Sequence, residues 1–450
     1  MHKYFPNARI VSYSNEMNQV CASAARISTT KGDAFEIFDR AKTKEENDQL
    51  ISKVLSSGHK SFIEHAVFTI AFRNVSAFVE QFFIECRLAS FTIKSRRYVD
   101  FSKLGYYVPA ELSGNDLKHY HTYMDMLFEA YQSLLGKGMP KEDVRFLLPY
   151  SFNSNFYCTI NARELAHVIR MIRNGRGHGI PELQNLAEQI VEQIQVLFPG
   201  LLSEFEYSSE HNYMEEDALN INRFQNPITF LHRQDVGSVK LVSASHEPLS
   251  VLETSYQIAH PDTKQSLKVN SLLRSMRPRE LEQLSYTFLI SDMTLSGITH
   301  IVRHRVQSVI VPPIQSVINS KYIIPDSIKE NPALLKEYEN ILITANGMMK
   351  QLDNNEKLKK YIYYYALSGN VMSILTTMNA RELLLFIQLR TCNRAQWEVR
   401  DIAIEMLKQL RDKFPELFDH YGPSCFVKGH CPEGKLTCGN IKKVVAKFAK

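Results

Sequence analysis

No stretch of this sequence is apolar enough for long enough to span a bilayer. About 18 or more consecutive apolar residues would be needed, and no such run is present. The chain is therefore expected to stay out of membranes. Its first residues, Met1 to Pro6, lack the apolar core of a secretory leader, which points to a cytoplasmic protein. Cysteine is scarce and odd in number, seven in 450 residues. That argues against a disulfide framework and suits a reducing compartment. Glycines are thinly spread, and none falls into a dinucleotide-binding fingerprint or a Walker loop. No serine or cysteine stands in an elbow or triad pattern. An enzyme built from this chain would leave its chemistry to a cofactor. Neither sign of charge dominates: 53 basic residues against 48 acidic ones leave a net charge of +5. Without a basic stripe a nucleic-acid partner is disfavoured, while a small anionic ligand remains compatible.

What the chain does have is itself, twice. Ala8 to Glu16 resembles Val239 to Glu247, and Asn161-Ala162-Arg163-Glu164-Leu165 returns as Asn379-Ala380-Arg381-Glu382-Leu383, an offset of 218. The same offset carries Glu85-Cys86-Arg87 onto Arg303-His304-Arg305. Helical stretches end alike, at Phe198-Pro199 and Phe414-Pro415. A period this long marks two whole domains rather than a solenoid. The reading is an N-terminal domain over 1–205, a linker over 206–236 containing Ser208-Ser209-Glu210-His211-Asn212, and a C-terminal domain over 237–450.

Each half reads as α/β (α+β), a sheet packed with helices. Val67–Phe72 and Tyr286–Ile290 have strand composition. Phe78–Phe91 reads as one apolar-rich helix. Asn161 and Asn379 each precede a Glu by three residues, the spacing of a capping box at a helix start.

Several polar clusters have both a functional and a plain interpretation. Arg303-His304-Arg305 lies in the apolar stretch 298–311. Two guanidinium forks around an imidazole suit a phosphate, and a solvated helix face is the alternative. Ser95-Arg96-Arg97-Tyr98 could grip a phosphomonoester or be a basic surface turn. Glu142 and Arg145 have the spacing of a surface helical ion pair. Arg390, Arg394, Gln396 and Glu398 surround Trp397, the only tryptophan. His59 and His65 flank Glu64 without zincin spacing, so they read as site-wall or core groups rather than metal ligands. Cys425, His430, Cys431 and Cys438 are zinc-ligand types but match no common finger spacing, so no metal is assigned, and a zinc site and a loose cysteine-containing tail stay open as alternatives.

Taken together, these pieces resemble the flavin-dependent thymidylate synthases. That family shows Gly-His…Glu-His before a Phe-Thr strand, then Arg-His-Arg, then Ser-x-Arg-Tyr. Asn-Ala-Arg-Glu-Leu, Leu-Arg and Ala-Gln-Trp-Glu follow. The resemblance covers nearly the whole chain twice, with the motifs divided between the halves. It implies a nucleotide site shared between subunits of a homotetramer, one giving the first Arg of Arg-His-Arg and the Arg of Leu-Arg, the other the Ser and Arg of the later motif. Here the C-terminal half keeps Arg303 and Arg390, and the N-terminal half keeps Ser95, Arg97 and Arg145. The reciprocal set is dismantled. Glu85 and Cys86 replace Arg and His, Leu-Arg is displaced to Ile172-Arg173, and Ala-Gln-Trp-Glu has become Gly-Ile-Pro-Glu. In the other half Pro313, Gln315 and Tyr363 stand where Ser and two Arg should be.

The resemblance therefore implies one live composite site. Ser61, Glu64, Arg303, His304, Arg305, Asn379 and Arg381 would hold FAD. Ser95, Arg97, Arg145, His300, Arg303 and Arg390 would hold dUMP, and Arg390 would also stabilise charge developing on the uracil ring. The implied reaction is methylation of dUMP at C5, using methylenetetrahydrofolate and reduced FAD, with NADPH reducing the flavin. His300 in place of the family's Gln, and Ile93 in place of its Glu, favour the alternative of another pyrimidine nucleotide. A non-catalytic nucleotide-binding or regulatory protein is the other alternative. Because two halves mimic two subunits, a homodimer of chains is expected.

Overall fold

A computed structural model describes residues 5–40, 43–206, 227–263, 265–314, 321–352 and 355–449. Most of the expected linker, including Ser208–Asn212, lies outside them. Contacts divide the chain into two units. The first is Met1–Asn222 with Gly347–Ala366, and the second is Arg223–Asn346 with Leu367–Lys450. Among the described residues no helix is long and apolar enough to cross a membrane.

The first unit is built on an antiparallel sheet of β1 (Asn7–Tyr13), β2 (Val67–Ser76), β3 (Ala89–Ile93) and β4 (Asn153–Asn161), in the order β1-β2-β4-β3. Phe68, Ile70 and Phe72 of β2 are buried at every second position, the period of a strand with one face on a core. Helix α1 (Ala77–Ile84) follows at once, with the Ser76 hydroxyl accepting the Val79 N–H. The apolar run 78–91 is thus not one helix. It ends at Ile84, and Ala89–Ile93 pairs with β4 instead. Unbroken apolarity hides the change of period, and the Phe91-Thr92-Ile93 stretch prefers the pleated surface. Three further helices bear on the site: α2 (Gly114–Gly136), α3 (Ala162–Asn174) and α4 (Pro181–Leu197).

The second unit repeats the plan. A short parallel pair, β5 (Thr229–Leu231) and β9 (Lys321–Ile323), accompanies a sheet of β6 (Ser238–Ala244), β7 (Ser285–Thr294), β8 (Gln307–Ile310) and β10 (Val371–Asn379). Its order, β6-β7-β10-β8, corresponds to the first sheet strand for strand. Helices α5 (Leu295–Ile301), α6 (Ala380–Arg390) and α7 (Trp397–Lys413) match α1, α3 and α4.

The likeness extends to register and backbone strain. Val67 faces Asn161 as Ser285 faces Asn379. Thr69 hydrogen-bonds Thr159 at 3.0 Å, and Thr287 bonds Thr377 at 2.9 Å. Asn74 (φ 54) and Asp292 (φ 50) both adopt the left-handed conformation near the sheet irregularity, as do Glu16 (φ 52) and Glu247 (φ 45) before the next helix. Such conformations are uncommon outside glycine, so their recurrence at matching places shows that the two units share local backbone detail as well as topology.

A buried carboxylate ties sheet to helix in each unit. Glu182 of α4 accepts the Ser76 N–H at 2.7 Å and its hydroxyl at 2.6 Å. Glu398 of α7 accepts the Thr294 N–H at 2.7 Å and hydroxyl at 2.5 Å. In the first unit Tyr364 adds a third donor to Glu182 at 2.7 Å. Tyr364 belongs to the returning segment Gly347–Ala366, whose aromatic rings fill this unit's core. Tyr123 donates to the Tyr365 carbonyl at 2.9 Å, and the Tyr150 N–H to that of Ala366 at 2.7 Å.

Candidate functional site

In the second unit, Arg303-His304-Arg305 is a turn between α5 and β8 rather than a helix face. Its middle is anchored and its flanks are exposed. His304 is buried and stacks edge-on against Phe386. Gln307 donates to the Ile301 carbonyl at 2.6 Å and accepts from Thr376 at 2.7 Å, which pins the turn at its exit. Arg303 and Arg305 are thereby held outward on a rigid base.

His304 links two residues that the sequence places far away. Its Nδ1 lies 2.8 Å from Glu382 Oε1, and Arg390 Nε donates to its Nε2 at 3.1 Å. Because Arg390 can only donate, Nε2 carries no proton and Nδ1–H must donate to Glu382. Burial, and then the neighbouring Arg390 charge, hold the imidazole below its ordinary pKa against the opposing pull of Glu382. The ring is therefore neutral near pH 7. Arg390 also donates to the His300 carbonyl at 3.0 Å. The main chain of His300 is thus one of the supports of Arg390.

The capping expectation is half realised. Asn379 accepts the Glu382 N–H at 2.8 Å and Asn161 accepts that of Glu164 at 2.9 Å. The Glu382 carboxylate, however, turns to His304 instead of back to the cap. In the sequence Glu382 stands out only as part of a helix start; its i+8 relation to Arg390 on α6 is the available signal. Arg381 pairs with Glu282, the repeat counterpart of Glu64, as Arg163 pairs with Glu64 at 2.6 Å. Ser61 lies in an exposed 3-10 turn with Glu64, and His59 and His65 are exposed rather than core groups.

In the first unit, Ser95 and Arg97 leave strand β3, not a helix. The Ser95 hydroxyl accepts the Arg97 N–H at 3.3 Å, and Arg97 Nε donates to Glu142 at 2.6 Å. Arg145 is not a surface residue. It is 2% exposed, and its Nε donates to the Glu142 main-chain carbonyl at 3.1 Å. The expected Glu142–Arg145 side-chain pair is replaced by Glu142–Arg97, because Arg145 opens a 3-10 turn that carries it into the core. Arg96 is buried against Glu80 and over the Phe152 ring, which fixes the turn bearing Ser95 and Arg97.

The counterpart of the Arg303 turn has been rebuilt. Glu85 is neutralised by Arg176, which also donates to the Phe82 carbonyl at 3.1 Å and lies over the Phe82 ring. Cys86 replaces the imidazole, its thiol pushed up to about 12 by burial. Arg173 turns to Glu188 of α4. Tyr363 is buried against Phe78, with ring centroids 4.5 Å apart. Gln315 lies outside the described residues.

The two sheets of matching strand order and their corresponding helices define a two-domain α/β protein. The chain belongs to the thymidylate synthase complementing protein family, whose model matches twice, over residues 9–200 and 234–416. The flavin-dependent thymidylate synthase of Clostridium tetani is 30% identical over 220 residues, covering 44% of this chain and 86% of the relative. That of Nitratidesulfovibrio vulgaris is 29% identical, covering 45% and 94%. Both relatives thus correspond to one half of this chain. The UPF0159 protein Ta1429 of Thermoplasma acidophilum is 23% identical but covers 87% of this chain and 91% of its own, so it shares the full duplicated length.

Proposed function

We propose that this chain is a flavin-dependent enzyme that methylates dUMP at C5, with one functional residue set per chain. The observation that carries this reading is the Glu382–His304–Arg390 chain in the second unit. Its first-unit counterpart has a thiol for the imidazole and an acid paired with Arg176 for the leading arginine.

The residues fit a flavin dinucleotide in their donor chemistry. Arg303 and Arg305 present paired guanidinium forks on either side of a neutral imidazole, which suits a diphosphate. Asn379, Arg381, Ser61 and Glu64 complete the proposed cofactor set. Bound FAD, reduced by NADPH, would supply the hydride that completes methyl transfer from methylenetetrahydrofolate. The protein's own work is positional and electrostatic. Ser95 and Arg97 hold the nucleotide phosphate, Arg97 exchanging its Glu142 contact for it, with the buried Arg145 behind them. Arg390, steadied by His304 and the His300 carbonyl, faces charge developing on the uracil ring. These residues act within one chain or between two. Ile93 stands in β3 where the resemblance implies Glu. That substitution favours a second reading, the same chemistry on another pyrimidine nucleotide.

The test is the absorbance spectrum of purified protein, titrated with dUMP. A flavin spectrum perturbed by dUMP supports the proposal. A response only to another nucleotide supports the second reading. No bound flavin, and none taken up on adding FAD, overturns both.

A further inference from the structure

Cys392 lies outside every motif considered so far, yet three other cysteines of the second unit approach it. Helix α6 ends at Arg390, and the chain turns through Cys392 and Asn393 before α7. Ser424, which opens the short helix α8 (Ser424–Lys428), donates to the Gln388 carbonyl of α6 at 3.4 Å. That contact seats Cys425 beside the turn. Asn393 Nδ2 donates to Cys438 Sγ at 3.9 Å. Cys431 lies on the intervening segment, which reverses at Gly429, Gly434 and Gly439 with φ of 75, 52 and 71.

Cys392 and Cys425 lie within electrostatic reach of each other and of both Cys431 and Cys438. Burial is the main cause raising Cys425, and Cys392, Cys431 and Cys438 each raise it further; Cys392 is likewise raised by burial, then by Cys438 and Cys431. All four are free thiols. Isolated cysteines in cores are explained as small apolar groups. That explanation fails for Cys431 and Cys438, which are only half-buried in a segment whose other residues, Pro432 to Thr437, are exposed. Four sulfurs drawn from three separate parts of the chain, two of them without a core to fill, call for a shared ligand.

We propose that Cys392, Cys425, Cys431 and Cys438 form a four-thiolate site for a thiophilic divalent cation of the zinc class. Such an ion takes four sulfurs tetrahedrally at about 2.3 Å and offsets their mutual repulsion by drawing off their protons. The intervals between successive cysteines, 32, 5 and 6 residues, are not those of a knuckle. As placed, no three His, Cys, Asp or Glu side chains among the described residues have metal-holding spacing. Binding therefore draws the exposed segment 429–439 in against the Cys392 turn. His430 is excluded from the set, since it is exposed and its Nδ1 engages the Lys428 carbonyl at 3.1 Å. The ion clamps the C-terminal end of α6 two residues beyond Arg390. This inference does not depend on the proposed reaction.

The experiment uses the full chain, purified without chelator. Elemental analysis is expected to find about one zinc per chain. Cobalt added to chelator-stripped protein is expected to give the intense visible bands of tetrahedral thiolate coordination. Cys431→Ser and Cys438→Ser, both in the exposed segment, should each weaken cobalt binding at least tenfold with unchanged far-ultraviolet circular dichroism, and His430→Ala should leave it intact. Absence of metal and of cobalt bands, with thiol reactivity unaffected by added zinc, overturns the proposal. So does a cobalt spectrum that survives the double serine variant or is lost in His430→Ala. Flavin content, measured on the same samples, reports on the proposed function separately.

Discussion

His304 acts as an acceptor towards Arg390 only while its Nε2 is unprotonated. On protonation both partners become donors, and the Arg390 Nε–H contact is lost. The folded imidazole titrates below its ordinary 6.5, held there chiefly by burial. The acid limb of nucleotide affinity against pH is therefore expected below 6.5. In Glu382→Gln it should move further down, because the carboxylate is what raises the ring. An acid limb unmoved by Glu382→Gln would remove His304 from this role. Arg303→Ala should abolish flavin retention. Glu85→Ala should leave it intact while lowering stability by about 1–2 kcal/mol, since Arg176 is left partly buried without its acid. Equal loss of flavin from both would sink the single-set model. At this scale the sequence offers candidate residues but not their partners. Arg303, His304 and Arg390 stood out because guanidinium and imidazole groups are conspicuous in apolar surroundings. Glu382 was hidden by its local role at a helix start. Arg145 looked like a surface helix residue because a three-residue spacing to Glu142 says nothing about a 3-10 turn sinking into a core.

At the level of elements, strand-to-helix struts recur where local patterns are weakest. Ser76 and Thr294 cap the helices that follow them, and each also donates to a buried carboxylate from a later helix. Periodicity revealed the strands and caps; it could not show Glu182 and Glu398 pointing inward, because a glutamate in the first turn of a helix ordinarily faces solvent. Burial outweighs the three donors around Glu182 and raises its carboxyl from 4.5 to about 7. The folded state thus holds this proton more tightly than the unfolded chain. Its contribution to stability is complete below pH 4.5 and is lost as pH rises through about 7. Glu182→Gln cannot ionise and should lack that downward slope, so its stability relative to the parent should improve between those limits in denaturant titrations. Parallel pH dependence in the two proteins would show that Glu182 does not titrate there. The same logic explains the misread run 78–91, where length and apolarity indicated a helix and only pairing with β4 reveals a strand.

For the whole molecule, duplication was legible because identical motifs recur at a constant offset, and the two sheets follow it in strand order, register and left-handed kinks. The returning segment was not legible, since nothing in the residues 347–366 marks them as core for the other unit. A homodimer of chains is the expected assembly; light scattering that gives a monomer mass at micromolar concentration would count against it. The placement of Tyr364 and Tyr365 has a further consequence. A stop after the first repeat would remove a donor to Glu182 and the rings packed on Tyr123 and Phe78. The first repeat is thus not a separable piece: ended at its own last helix, it would carry an unfilled core around a buried acid.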